Sequence, residues 1–137
     1  WYPSTTADMS LPSMSENVDA PILDRDVVAA FLHWYLPAGM DITEPESLPP
    51  ALAPANTTDL SGLPPAYIGT AEHDPIRDDG ARYAELLAAA GVPVELHNSP
   101  TMVHAFVNFA AVVPAAAEAT DRGLAALRAG LRRSIPA

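Results

Sequence analysis

AYIGTAEHDPIRDDGARYAELLAAAGVPVELHN, residues 66–98, runs from one short apolar stretch through a helical pattern to a second apolar stretch. Residues 66–71 (AYIGTA) have the length and apolarity of a buried strand. From Arg77 onward, Tyr83, Leu86, Leu87 and Ala90 recur at helical spacing. Gly91 suits the C′ position of that helix, and Pro93 stands just beyond it. Residues 94–98 then read as a second strand. A later helix is expected over 115–133, with Pro114 near its first turn and Leu124, Leu127 and Leu131 on one face. Strand, helix, strand, helix predicts a right-handed parallel crossover in an α/β fold.

Upstream the pattern is weaker. Residues 1–22 read as irregular, broken by Pro3, Pro12 and Pro21. Asp24 is an expected N-cap, followed by Val27, Val28, Phe31, Leu32 and Tyr35 on one helical face. Pro37 and Gly39 end that helix. Residues 37–65 hold seven prolines and read as a long ordered loop. Asn56-Thr57-Thr58 fits a glycosylation sequon and is read as a turn.

The chain has 137 residues and a formal net charge of −10. A polyanion has no electrostatic reason to approach nucleic acid or an anionic bilayer. Arg128, Arg132 and Arg133 are expected to complement a helix C-terminus. Cysteine is absent, which excludes disulfides and thiolate metal sites. No apolar run reaches transmembrane length and no signal peptide is visible, so a cytoplasmic setting is expected.

Asp74 follows the first strand, and His104 lies six residues beyond the expected end of the second. In a parallel unit both strand C-termini open on one edge of the sheet, where such folds bind ligands. Adjacent strands lie roughly 4.8 Å apart. Loops from the two ends can bring a carboxylate onto an imidazole, the pair a hydrolase uses to orient and charge its base. Pro75 biases Asp74 away from the α region. The alternative is an N-cap aspartate and an ordinary loop histidine. His73, Asp74, Asp78 and Asp79 also resemble a metal cluster, but acids in a first helical turn are expected from the helix dipole, so no metal is assigned. His33 and His97 have no partner spacing, and His97 is expected to face solvent.

Gly62-Leu63-Pro64-Pro65-Ala66, the run from Thr70 to Gly80 (TAEHDPIRDDG), Ala88-Ala89-Ala90-Gly91-Val92-Pro93-Val94 and Met102-Val103-His104-Ala105-Phe106 together resemble the hormone-sensitive-lipase-like esterases of the α/β-hydrolase superfamily. The resemblance spans about Ser15 to Leu131 and is most specific from Leu60 to Phe106. It implies a triad acid at Asp74, a triad base at His104, carboxylic-ester (lipase-like) hydrolysis and no cofactor. Its Ser…Asp…His order is that of the superfamily. Ala105 and Thr101 stand where the family favours glycine. A Cβ at 105 is expected to crowd the loop or to demand a negative φ. None of the eight serines lies in a G-x-S-x-G, and no His-Gly-Gly-Gly run is present. The resemblance places both in a half preceding Trp1, so the nucleophile and oxyanion hole are expected there.

The expected organisation is therefore the C-terminal part of an α/β-hydrolase sheet, its last two βα units, with part of a helical cap. Residues 1–9 are read as the exit of a preceding strand, 10–58 as cap and 59–137 as core. Phe31, Trp34 and Tyr35 are candidates to line the substrate pocket. The rival reading is a non-catalytic truncated homologue acting as an interaction module. Residues 94–98 alternate apolar Val94 and Leu96 with polar Glu95 and His97, as an edge strand would. They suggest a homodimer across a two-fold axis.

Overall fold

The computed structural model describes residues 1–37 and 39–133. In chain order it contains helix α1 (Pro12–Glu16), helix α2 (Arg25–Tyr35), strand β1 (Ala66–His73), helix α3 (Arg77–Ala89), strand β2 (Val94–Val103) and helix α4 (Pro114–Arg133). Short 3-10 turns occupy Pro45–Ser47, Pro54–Asn56 and Phe106–Phe109. Residues 134–137, the end of the expected core segment, lie outside the described residues, as does the Arg133 side chain.

β1 and β2 pair in parallel, from Ala66 opposite Val94 to His73 opposite Val103, with α3 as the crossover. The two-residue period of β1 sends alternate side chains to opposite faces. Ile68 packs with Ala84 and Leu87 of α3, and with Leu60 and Val92. Ala71 packs with Ala116 and Ala119 of α4, and with Phe106. One helix therefore covers each face of the pair, the three-layer arrangement expected of an α/β fold. Close approach depends on missing side chains. A Cβ at Gly80 would lie 2.7 Å from Thr70 Cγ2, and one at Gly69 would lie 2.8 Å from the Trp1 indole. Gly123 of α4 flanks the same indole, so Trp1 fills a slot between strand and helix.

Both strands outrun their expected bounds. β1 ends at His73 rather than Ala71, and β2 at Val103 rather than Asn98. Pro100 has no N–H for the ladder, which is why the second strand reads as finished before it. The structure absorbs the proline in a register shift: Ala71 and His73 pair with Ser99 and Val103. Four residues of β2 thus span two of β1, as in a bulge. Pairing resumes, and His104 follows its strand directly instead of standing six residues away.

Residues 1–22 are not wholly irregular, because Pro12 opens α1 in its first turn. Five residues are too few for a visible period. Asp24 caps α2 as expected, accepting from the Val27 amide at 2.8 Å. Gly91 takes φ +79° after α3.

Asp79 departs furthest from its expected role. It is 1% exposed and does more than complement the dipole of α3. Its carboxylate accepts from the Thr5 amide at 2.8 Å, the Thr6 amide at 3.1 Å and the Thr6 hydroxyl at 2.9 Å. The Thr5 hydroxyl donates to it as well. The N-terminal segment is thereby tied to α3. Ala105, in turn, adopts φ +61° and ψ +20°, so its Cβ does not force a negative φ. Left-handed backbone costs a non-glycine residue about 1–2 kcal/mol.

Two stability predictions follow from these positions, both read from chemical denaturation of the intact protein. Asp79→Ala strands two hydroxyls and two amides and lowers stability by about 3 kcal/mol or more; a loss within experimental error contradicts the tie. Ala105→Gly relieves the left-handed strain and, after the added chain entropy, raises stability by up to about 1 kcal/mol. A clear loss would show that the Ala105 methyl contributes packing that outweighs the strain.

Candidate active site

Parallel pairing brings the ends of β1 and β2 to one edge, and the residues that follow them meet there. His104 Nδ1 lies 2.8 Å from Asp74 Oδ2. The Asp74 side chain is wholly buried, while that of His104 keeps 21% of its surface exposed. The other Asp74 oxygen accepts from the Ile76 amide at 3.0 Å, so the carboxylate also shapes the turn into α3. An ionised Asp74 can only accept, so the bond calls for a proton on Nδ1; in the neutral imidazole that tautomer leaves Nε2 with its lone pair. That nitrogen is free to take a proton from a nucleophile.

The turn carrying Asp74 is held by α1. Ser13, fully buried, donates its hydroxyl to the Pro75 carbonyl at 2.7 Å and accepts from the Asp78 amide at 3.1 Å. Its own amide donates to Asp78 Oδ2 at 2.9 Å. Asn17 Nδ2 donates to the Asp74 carbonyl at 3.4 Å. Arg77 reaches Glu16 at 2.6 Å, Asp78 at 2.9 Å and Glu72 at 3.2 Å. The Asp78 and Glu16 carboxylates hold its guanidinium above the usual arginine range, against the opposing effect of burial. None of these ties was read from the sequence. The one available signal was Pro12 at the start of a helical turn.

His104 borders a cavity of about 400 Å³ walled by aliphatic side chains, among them Leu23, Val28, Leu32, Leu52 and Ile76. Phe31 and Tyr35 line it too. Trp34 does not; it is 73% exposed and its ring meets Phe31 edge-on, with centroids 5.8 Å apart. A second concavity of about 550 Å³, between Asp8, Arg25 and Glu46, does not include the His104–Asp74 pair. Among the described residues, no group of three His, Asp or Glu side chains could hold a metal ion. His73 is exposed and Asp79 is committed to the threonines. His97 is half-buried opposite Gly69 rather than facing solvent, and His33 is exposed.

Residues 1–108 match the family described as alpha/beta hydrolase fold. The carboxylesterase NlhH of Mycobacterium tuberculosis is 72% identical over 131 residues, which are 96% of this chain and 40% of that protein. The esterase LipI of the same organism is 60% identical over 129 residues, 93% of this chain and 39% of that protein. A solved bacterial heroin esterase superposes with a TM-score of 0.83 at 33% identity, covering 99% of this chain and 41% of the other. The chain thus spans about 40% of the length of the curated relatives it matches. Sequence, two-strand parallel core and flanking helices agree, and the chain belongs to the hormone-sensitive-lipase-like branch of the α/β-hydrolase-fold family.

Proposed function

We propose that the intact protein hydrolyses carboxylic esters, with His104 as general base, Asp74 as the residue that orients it, and a serine nucleophile outside these 137 residues. The observation that carries the reading is the 2.8 Å His104–Asp74 contact, beside an apolar cavity and at the edge where both strands end. The relatives named carboxylesterase and esterase support the same chemistry. In the proposed reaction the serine oxygen adds to the ester carbonyl as its proton passes to His104 Nε2. Asp74 steadies the resulting imidazolium. The tetrahedral intermediate collapses, and His104 returns the proton to the departing alkoxide. Water then repeats the sequence on the acyl-enzyme and releases the acid. No cofactor enters any of these steps.

The cavity suits a short or medium acyl chain, with Phe31 and Tyr35 among its lining residues and Trp34 outside it. In the same proposal, residues 1–9 leave a preceding strand, 10–58 belong to a cap and 59–137 to the core. Support for the first comes from the Tyr2 amide, which donates to the Gly69 carbonyl of β1 at 2.6 Å. No described helix is long and apolar enough to cross a membrane, and a cytoplasmic setting belongs to this reading. One observation favours a second reading for the isolated chain: it contains no G-x-S-x-G, so alone it would act, if at all, as an interaction module.

A homodimer through residues 94–98 is also proposed. Among the described residues β2 has β1 as its one strand neighbour, so its other edge is unpaired. Val94 packs on the core below α3, but Leu96 is 45% exposed, beside a single charge at Glu95. Leu127 and Leu131 of α4 are exposed as well. An unpaired, weakly charged edge invites antiparallel pairing with its own copy.

In the intact protein, His104→Ala is expected to lower kcat for a p-nitrophenyl ester by on the order of 10³-fold or more, with Asp74→Asn costing as much or somewhat less. Near-parental rates in either variant defeat the assignment. The 137-residue chain by itself is expected to show no turnover above background; phosphonate-sensitive turnover traced to one of its own serines overturns that. Light scattering of the intact protein should report a dimer that Leu96→Pro dissociates, and a parental monomer at micromolar concentration sinks the dimer.

A further inference from the structure

Tyr2 lies far from His104 in sequence, yet their ring centroids are 4.5 Å apart with an interplanar angle of 54°. Phe106 meets the same tyrosine ring edge-on, at 5.5 Å and 78°. Phe106 is itself 1% exposed and packed against Ala71 and the first turns of α4. His104 and Phe106 can share one ring because Ala105 between them is left-handed, which folds the chain back on itself. The tyrosine is held from its backbone as well, by the 2.6 Å bond from its amide to the Gly69 carbonyl. A chain of ring contacts therefore runs from the buried core, through Tyr2, to the imidazole.

We propose that Tyr2 is a positioning residue for His104: its ring is a fixed platform that holds the imidazole plane while Asp74 holds Nδ1. The proposal rests on the reading of His104 as general base. A single hydrogen bond to Nδ1 leaves the imidazole free to rock about that contact. A second ring packed against it at a tilt, 4.5 Å between centroids, restricts that rocking and keeps Nε2 aimed at one point. An aromatic face within about 6 Å also favours a cation over the neutral ring, so the same contact stabilises the imidazolium as it forms. Burial pushes the Tyr2 phenol above its ordinary value; the Val107 backbone opposes this and the Asp74 carboxylate adds to it. The ring is accordingly a neutral phenol at neutral pH. The platform needs the ring, not the hydroxyl.

The test uses the intact protein and a p-nitrophenyl ester, with four variants: Tyr2→Leu, Tyr2→Phe, His104→Ala and the Tyr2→Leu/His104→Ala pair. Tyr2→Leu should lower kcat by about tenfold or more with KM within about twofold, because misplacing a reacting group costs rate rather than affinity. Tyr2→Phe should restore most of that loss. In the His104→Ala background, Tyr2→Leu should cost nothing further, since a residue that acts through His104 has nothing left to position. Where Tyr2→Leu fails to fold, Tyr2→Met takes its place. A parental kcat in Tyr2→Leu, a loss as large in Tyr2→Phe, or an equal loss in the His104→Ala background each overturns the platform while leaving the base assignment intact. A parental rate in His104→Ala overturns the base assignment and the platform with it.

Discussion

From Ala66 opposite Val94 to His73 opposite Val103, β1 and β2 run in the same direction, so both must leave the sheet at the same edge. Everything of chemical interest follows from that pairing. A carboxylate placed just after one strand and an imidazole placed just after the other are brought together without any long loop having to find its way. The bulge at Pro100 matters for the same reason. Without resumed pairing at Val103, His104 would hang on a loop, and its 2.8 Å contact with Asp74 would depend on an unsupported segment. The helices then fix the pair in space, because the alternation along β1 gives α3 one face and α4 the other.

Around this frame lies a layer of buried polar contacts with one theme. The segments before residue 20 are bound onto the turn that carries Asp74. Thr5 and Thr6 close on the Asp79 carboxylate, and Ser13 closes on the Pro75–Asp78 turn. Each buried partner leaves another group unsatisfied if removed, so these contacts specify one arrangement more strongly than their net energy suggests. The strain at Ala105 fits the same picture. A left-handed alanine is tolerated where the surrounding packing over-determines it, here because His104 and Phe106 both engage Tyr2.

Much of this was legible in the sequence, and the parts that were not share a cause. Apolar runs, the helical spacing of Tyr83, Leu86 and Leu87, and the Gly91–Pro93 punctuation are local signals, and the β1–α3–β2 unit was read from them. Asp74 and His104 stood out because strand ends are local features too, although their separation in space required the register. Asp79 looked like an ordinary first-turn acid, since its threonine partners lie more than 70 residues away and no spacing rule reaches that far. β2 looked short because a proline within a strand normally ends it, and a bulge is a tertiary remedy. Tyr2 carried no signal, because its importance lies wholly in what the fold places above it. Neighbouring positions of one helix also diverge in their surroundings. Phe31 and Tyr35 border the cavity, whereas Trp34, adjacent in sequence, points elsewhere around the helix.

The chemical claim at the centre is that the Asp74–His104 pair serves a serine that these 137 residues do not contain. A crystal structure of the intact protein after reaction with a phosphonate ester tests it in one measurement, the distance from His104 Nε2 to the oxygen bearing the phosphonyl group. The account predicts a single label, on a serine in a G-x-S-x-G outside this segment, with that oxygen within about 2.6–3.2 Å of Nε2. A label on any serine of this chain, or a labelled oxygen well beyond that reach with His104 still bonded to Asp74, would contradict it.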